Sequence, residues 1–259
     1  MSRCALFWKG SNVNKKSYTI HSNSLNRDMN LLSYGEKGLP VLAFPCQDSL
    51  CDNWEVFGMP DELSDFIESG QIRLFCVDTV DRESWSDVNG DNEHRANVQE
   101  SYFHFVVDEL VPFIMSVSED DRLPLATGFS LGGGHAGIVF FRRPDLFSGV
   151  LTCSACFNAA HFWGGWSNSV IYDNSPLVFL ENMPEDHPYI ALYNTKKIIL
   201  CAGQGFWERE CQRTTRLMGE LLPRKGIEAW VDLWGEESDH DWPWWKKQIR
   251  YFLPYFLEG

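Results

Sequence analysis

Apolar and polar positions alternate in two different periods along this chain, and the change of period marks its elements. The early stretches "KSYTIHS" and "DMNLLSYGEKG" alternate residue by residue, which predicts two strands of a hairpin or meander. From "LPVLAFPC" onward the apolar runs become continuous and short. "IRLFCVDTV", "RLPLATGFS", "SGVLTCSA", "KKIILCAGQG" and "IEAWVDLWG" follow the same pattern, as expected of strands buried on both faces.

Between these runs the period lengthens to that of a helix. "DNWEVFGMPDELSDFIESG" predicts a helix capped at Asp52 or Asn53, stopped at Gly70 and interrupted near Pro60. From about His94 to Val117, the spacing of Tyr102, Phe105, Val106, Leu110, Phe113 and Ile114 predicts a second. "LGGGHAGIVFFRRPDLF", residues 207–225 and "DWPWWKKQIRYFLPYFL" predict three more, and residues 157–194 read as irregular. Trp242, Trp245 and Ile249 share one face of the last helix, which predicts core packing.

Buried strands alternating with helices give an α/β fold, with a mostly parallel eight-stranded sheet and helices on both faces. In such a sheet the chemistry lies at the carboxyl ends of the strands. The informative residues are therefore those just after each apolar run.

Composition narrows the function. A chain of 259 residues that is 44% hydrophobic and 22% charged is long enough for one α/β domain. Its net charge of −14 argues against a nucleic-acid partner, which needs a basic face, and it weakly disfavours anionic lipid. The first residues hold no apolar run of signal-peptide type, and no run of 18 apolar residues occurs. Eight cysteines, several inside strand-like runs, fit buried free thiols in a reducing compartment, so a cytoplasmic location is expected. Cys153 and Cys156 have C-x-x-C spacing, but no second such pair follows, and no metal is expected.

"LATGFSLGGGHAG" places Ser130 between two glycines, where a strand gives way to a helix. Gly-x-Ser-x-Gly alone is a weak signal, whereas in a strand–turn–helix setting it describes a nucleophile elbow. Gly128 and Gly132 keep the tight turn free of side chains, and the Leu131 amide at the helix start faces a developing oxyanion. A nucleophilic serine needs a base. In this topology the base comes late, after the last strand, where "WGEESDHDWPWW" supplies His240. His135, one turn beyond Ser130, reads as a packed helix residue. The acid belongs after "KKIILCAG", where Glu208 stands nearest the strand tip; Glu210, Asp232 and Asp239 are the alternatives. Cys46, after a proline, has nothing to activate it as a rival nucleophile.

"PVLAFPC", "GFSLGGG" and "HDWPWWKKQIRYFLPYF" together resemble the Putative esterase branch of the α/β-hydrolase superfamily, over about residues 28–257. That branch includes S-formylglutathione hydrolase (esterase D), enterochelin esterase and mycolyltransferase-type proteins. The resemblance implies Ser130 as nucleophile, His240 as base, and Glu208 at a position where relatives carry Asp. Relatives place the second oxyanion amide one residue past an H-G or D-G pair. Here that pair reads Phe44-Pro45, which gives the role to Cys46, with Gln47 next.

The expected activity is that of a serine esterase using a Ser-His-Glu triad and an acyl-enzyme on a small-molecule ester, without cofactor. Two other readings stand beside it: acyl transfer to an acceptor other than water, and a non-catalytic esterase-like binding protein. The aromatics Phe157, Phe162, Trp163 and Trp166 of the 157–194 insertion, where hydrolases often carry a lid, are expected to line an acyl pocket. Trp85, His94 and Arg95 are expected to face the site.

Overall fold

The computed structural model describes residues 13–258; Cys4 and the rest of the N-terminal dozen lie outside them. Eight strands form one sheet: β1 (Lys15–Ser22), β2 (Arg27–Tyr34), β3 (Leu39–Phe44), β4 (Ile72–Val77), β5 (Leu125–Phe129), β6 (Gly149–Cys153), β7 (Lys197–Ala202) and β8 (Trp230–Leu233). Their spatial order is β1-β2-β4-β3-β5-β6-β7-β8. The β1–β2 and β2–β4 pairs are antiparallel and all other pairs are parallel. The expected hairpin and six further strands are all present; five of the six are buried as expected, whereas β8, at the edge of the sheet, is half-buried.

The helices are α1 (Asn53–Val56), α2 (Met59–Glu62), α3 (Ser64–Glu68), α4 (Asn92–His104), α5 (Val111–Val117), α6 (Leu131–Arg142), α7 (Ser169–Asp173), α8 (Pro176–Asn182), α9 (Pro188–Tyr193), α10 (Arg209–Arg224) and α11 (Trp242–Leu257). Strand side chains alternate between two cores, one on each face. Leu42 and Phe44 of β3 and Phe75 and Val77 of β4 join the core under α4, α6 and α10. Val41, Ala43, Leu74 and Cys76 point the other way, toward Trp54, Ile67 and the Trp242–Trp245–Phe252 face of α11.

Three local outcomes differ from the sequence reading. The helix predicted around Pro60 is three single turns, because Pro60 and the left-handed Gly58 (φ 68°) restart it. The helix over 94–117 widens into a π-turn at Phe105–Leu110, just before Pro112 removes a backbone donor. Residues 157–194 are not irregular: they carry α7, α8 and α9, each short and two of them opened by proline.

The connections set the site. The chain leaves β3 for β4 on one side, then returns to place β5 on the other side of β3. This reversal opens a crevice between the loops after β3 and β5, the place where doubly wound sheets hold their chemistry.

Candidate active site

The elbow is built by backbone geometry. Ser130 adopts φ 56° and ψ −129°, a conformation that costs a non-glycine residue on the order of 1–3 kcal/mol. Two hydrogen bonds hold it there: its N–H donates to Cys153 O (3.0 Å), and its carbonyl accepts from Gly134 N–H (3.2 Å). At Gly132 a Cβ would come within 2.4 Å of Pro45 O and 2.5 Å of Phe44 O. Only glycine lets α6 lie this close to the end of β3, bringing the post-β3 loop beside the serine.

His240 reaches the serine from the far side. Its Nε2 lies 2.8 Å from Ser130 Oγ, and the loop carrying it is tied to the post-β7 loop through His240 N–H to Phe206 O at 3.1 Å. The imidazole rests edge-on against Trp245, with ring centroids 5.0 Å apart. Glu208, 1% exposed, directs Oε2 at His240 Nδ1 across 3.6 Å. Ser130, His240 and Glu208, the three residues singled out in the sequence, are thus brought together in that order.

Two of the other acids are engaged elsewhere. Glu210 is held by Arg213 at 2.7 Å, and Asp239 Oδ1 accepts the Phe206 amide at 2.7 Å.

A second layer, which sequence reasoning missed, fixes Glu208. Ser154, at the end of β6 and itself at φ 56°, donates its hydroxyl to Glu208 Oε1. Trp245 Nε1–H donates in turn to Ser154 Oγ at 3.0 Å. Trp245 is buried as its spacing predicts, and it is also a donor in the site. The only signal for Ser154 was its place just past an apolar run, shared with many residues.

The post-β3 loop corrects one assignment. The Cys46 N–H, expected to serve an oxyanion, donates instead to Asn53 Oδ1 at 3.0 Å, because α1 begins near enough for Asn53 to fold back. The next amide, Gln47, has no acceptor among the described residues. Three side chains following β4 hold this loop. Asp81 Oδ2 accepts Asp48 N–H (3.2 Å), Thr79 Oγ1 donates to Ser49 O (3.0 Å), and Asp78 Oδ1 accepts Cys51 N–H (2.9 Å). Buried His135 contacts Asp81 Oδ1 through Nε2 at 2.8 Å, so it is a packed helix residue that braces the loop. Burial, reinforced by the charge of Asp81, pushes the Cys46 thiol up to about 12, leaving it protonated and unsuited to attack.

Several residues expected to face the site do not. Trp85 and Arg95 are each 1% exposed. Arg95 donates to Ser84 O and Phe162 O and stacks over Trp163, which joins the 157–194 segment to the body. His94 is exposed on α4. Phe157 and Trp163 are core residues; Phe162 and Trp166 are partly buried against the core. The aromatic ring packed on His240 is Trp245; the loop after β7, whose Phe206 carbonyl accepts the His240 N–H, exposes Phe206 and Trp207, at 70% and 78%. The seven cysteines among the described residues are free, and no helix among those residues is long and apolar enough to cross a membrane.

Known proteins agree with this architecture. The structure is similar to a ferulic acid esterase (TM-score 0.72, 18% identity, covering 96% of this chain and 100% of that one). It is also similar to an S-formylglutathione hydrolase from Agrobacterium tumefaciens (TM-score 0.74, 14% identity, 96% of each chain). A third similar structure is MPT51 of Mycobacterium tuberculosis (TM-score 0.69, 14% identity, 94% of this chain and 98% of that one). At these identities the likeness is one of fold: the α/β-hydrolase sheet. No curated protein sequence matches the chain. The profile of the family described as Putative esterase does match, over residues 22–256, so the chain belongs to that family and is a carboxylic ester hydrolase.

Proposed function

We propose that ester hydrolysis proceeds through an acyl-enzyme on Ser130, with His240 as general base and Glu208 as the acid of a Ser-His-Glu triad. The observation that carries this reading is the 2.8 Å contact between His240 Nε2 and an Oγ held on a strained elbow.

Ser130 Oγ attacks the ester carbonyl while its proton passes to His240 Nε2. The carbonyl oxygen becomes an oxyanion facing the Leu131 N–H, which has no helical partner at the start of α6, and the Gln47 N–H. As the imidazolium forms, Nδ1–H closes toward Glu208 Oε2, and the carboxylate stabilises the new charge. His240 then gives its proton to the leaving alcohol. Water attacks the acyl group, its proton goes to Nε2, and collapse of the second oxyanion returns the proton to Ser130. Each step uses groups of this chain and balances without a cofactor.

The substrate is a small-molecule ester whose apolar part rests against Phe206 and Trp207. We assign the described chain to one α/β-hydrolase domain in which residues 157–194 cover one side of the site. Its many buried free thiols support a reducing, cytoplasmic setting.

A fluorophosphonate probe tests the reading directly. Mass spectrometry should find one adduct on Ser130 in the wild type and none in Ser130→Ala. Labelling of His240→Ala should be slowed sharply, and turnover of a chromogenic ester by Ser130→Ala should fall by at least ~10³-fold. Wild-type turnover by folded Ser130→Ala would end the proposal.

A further inference from the structure

Glu208 and His240 face each other across a gap that neither fills. Glu208 Oε2 and His240 Nδ1 are both buried, and neither has a hydrogen-bond partner among the described residues. Their separation of 3.6 Å exceeds a hydrogen bond by about 0.7 Å. Beside them lies Cys211, in the first turn of α10 and three positions beyond Glu208. Ligand atoms of Glu208, Cys211 and His240 all lie within 4.8 Å of one another. Acyl transfer has no use for this thiol.

A carboxylate, a thiolate and an imidazole are the donor set of zinc and its softer neighbours. Bonds of about 2.0–2.3 Å at tetrahedral angles put ligand atoms roughly 3.3–3.6 Å apart. The carboxylate and imidazole already stand at that spacing. Ser154 fixes Glu208, while Ser130 and Trp245 fix His240. Cys211 is therefore the ligand that moves, by about 1.2–1.5 Å at most on this spacing. We infer that Glu208, Cys211 and His240 form an inhibitory site for a thiophilic divalent cation such as Zn²⁺ or Cd²⁺, with water in the fourth position.

The inhibition follows from the tautomer. Binding forms bonds from the ion to Sγ, Oε2 and Nδ1, and the Cys211 thiol releases its proton to solvent. Burial, together with the nearby Glu208, Cys156 and Glu210, keeps that thiol protonated in the ion-free protein, so the ion must displace the proton. With Nδ1 bound, the remaining ring proton sits on Nε2. That nitrogen then donates to Ser130 Oγ and can no longer accept its proton. The same ion neutralises the carboxylate that would stabilise an imidazolium. Catalysis stops with the elbow and the substrate surface intact.

The inhibitory consequence rests on the Ser130–His240 mechanism proposed above; the binding itself does not. Full-length, metal-free protein titrated with Co²⁺ should show a thiolate-to-cobalt charge-transfer band saturating at one equivalent, and Zn²⁺ should abolish it. Cys211→Ser, with Cys211→Ala beside it, should lose the band. Zn²⁺ should suppress wild-type ester turnover and fluorophosphonate labelling in step with occupancy, and a chelator should restore both. The Cys211 variants should keep their metal-free turnover within about 2-fold and need at least ~10-fold more Zn²⁺ for inhibition, the scale on which site substitutions weaken metal binding. Absence of the band in wild type, or equal zinc sensitivity of the Cys211 variants, would overturn the site. A band without any labelling of the metal-free protein would sustain the site and sink the catalytic reading instead.

Discussion

Replacing Glu208 by glutamine tests the triad at its most distinctive member. The substitution keeps the shape of a 1% exposed side chain and removes only its charge. Across 3.6 Å, a unit charge pair at an effective dielectric near 20 is worth about 4.6 kcal/mol. That energy is absent with a neutral imidazole and present once His240 is protonated, so it acts on the transition state. At 1.36 kcal/mol per decade it corresponds to roughly 10³-fold in turnover. The tautomer adds to the loss. If the glutamine amide faces His240, Nδ1 must accept, which puts the ring proton on Nε2 and aims a donor at Ser130. Glu208→Gln should therefore lower kcat/KM for a chromogenic ester about 10³-fold with KM little changed. Glu210→Gln, whose parent side chain faces solvent beside Arg213, should stay within about 2-fold. Folded Glu208→Gln within 10-fold of wild type would remove Glu208 from the mechanism.

Three further outcomes follow from the supporting structure. Ser154→Ala takes a donor from Glu208 and an acceptor from the Trp245 indole, and urea unfolding should show a loss of about 2–4 kcal/mol from these two unpaired buried groups. Gly132→Ala drives a methyl into Pro45 O and Phe44 O, which should displace the post-β3 loop. Its ester turnover should fall well below that of the wild type. Burial raises the Glu100 carboxyl, but bidentate Arg142 and Asn174 outweigh it and hold it below the ordinary range. A depressed carboxyl contributes stability above its unfolded pKa near 4.3 and loses it as pH falls through the lower folded value. Glu100→Gln should thus cost about 1–3 kcal/mol at pH 7, a difference that shrinks below about pH 4.

What the sequence disclosed and what it hid divide by the kind of interaction. The strands were legible from two signals: β1 and β2 alternate residue by residue, and the inner strands are short unbroken apolar runs because they are buried on both faces. Ser130 and His240 were legible because strand ends are few, and each follows such a run in the order the fold requires. Glu208 was harder, since Glu210 sits two residues away with the same chemistry; the start of α10 turns one inward and the other toward Arg213. The oxyanion loop was misread because an amide carries no sequence signature. Whether Cys46 or Gln47 is free depends on Asn53 folding back onto the chain seven residues earlier. Trp85 and Arg95 looked like site residues only because loops usually carry function, whereas here they bind two loops to each other.

The arrangement of the site has a physical logic that the sheet order explains. The post-β3 loop, Ser130, Ser154, Glu208 and His240 follow β3, β5, β6, β7 and β8, five strands that are consecutive neighbours in the sheet. With strands about 4.8 Å apart, the end of β8 stands roughly 14 Å from that of β5. A histidine confined to its own strand end could not touch the serine. The loop must cross back over β7, and it does so by binding to the loop there. Gln204 N–H donates to Gly235 O, Gly205 N–H to Ser238 O and Phe206 N–H to Asp239 Oδ1. This crossing requires Gly203, where a Cβ would lie 2.0 Å from Ser238 O. The loop that delivers the acid is thus also the track that delivers the base. Glu208 and His240 are positioned by one shared set of hydrogen bonds, and Ser154 with Trp245 locks that unit to β6 and α11. A displacement of either loop moves both partners together, which preserves their mutual geometry and changes only their distance from Ser130.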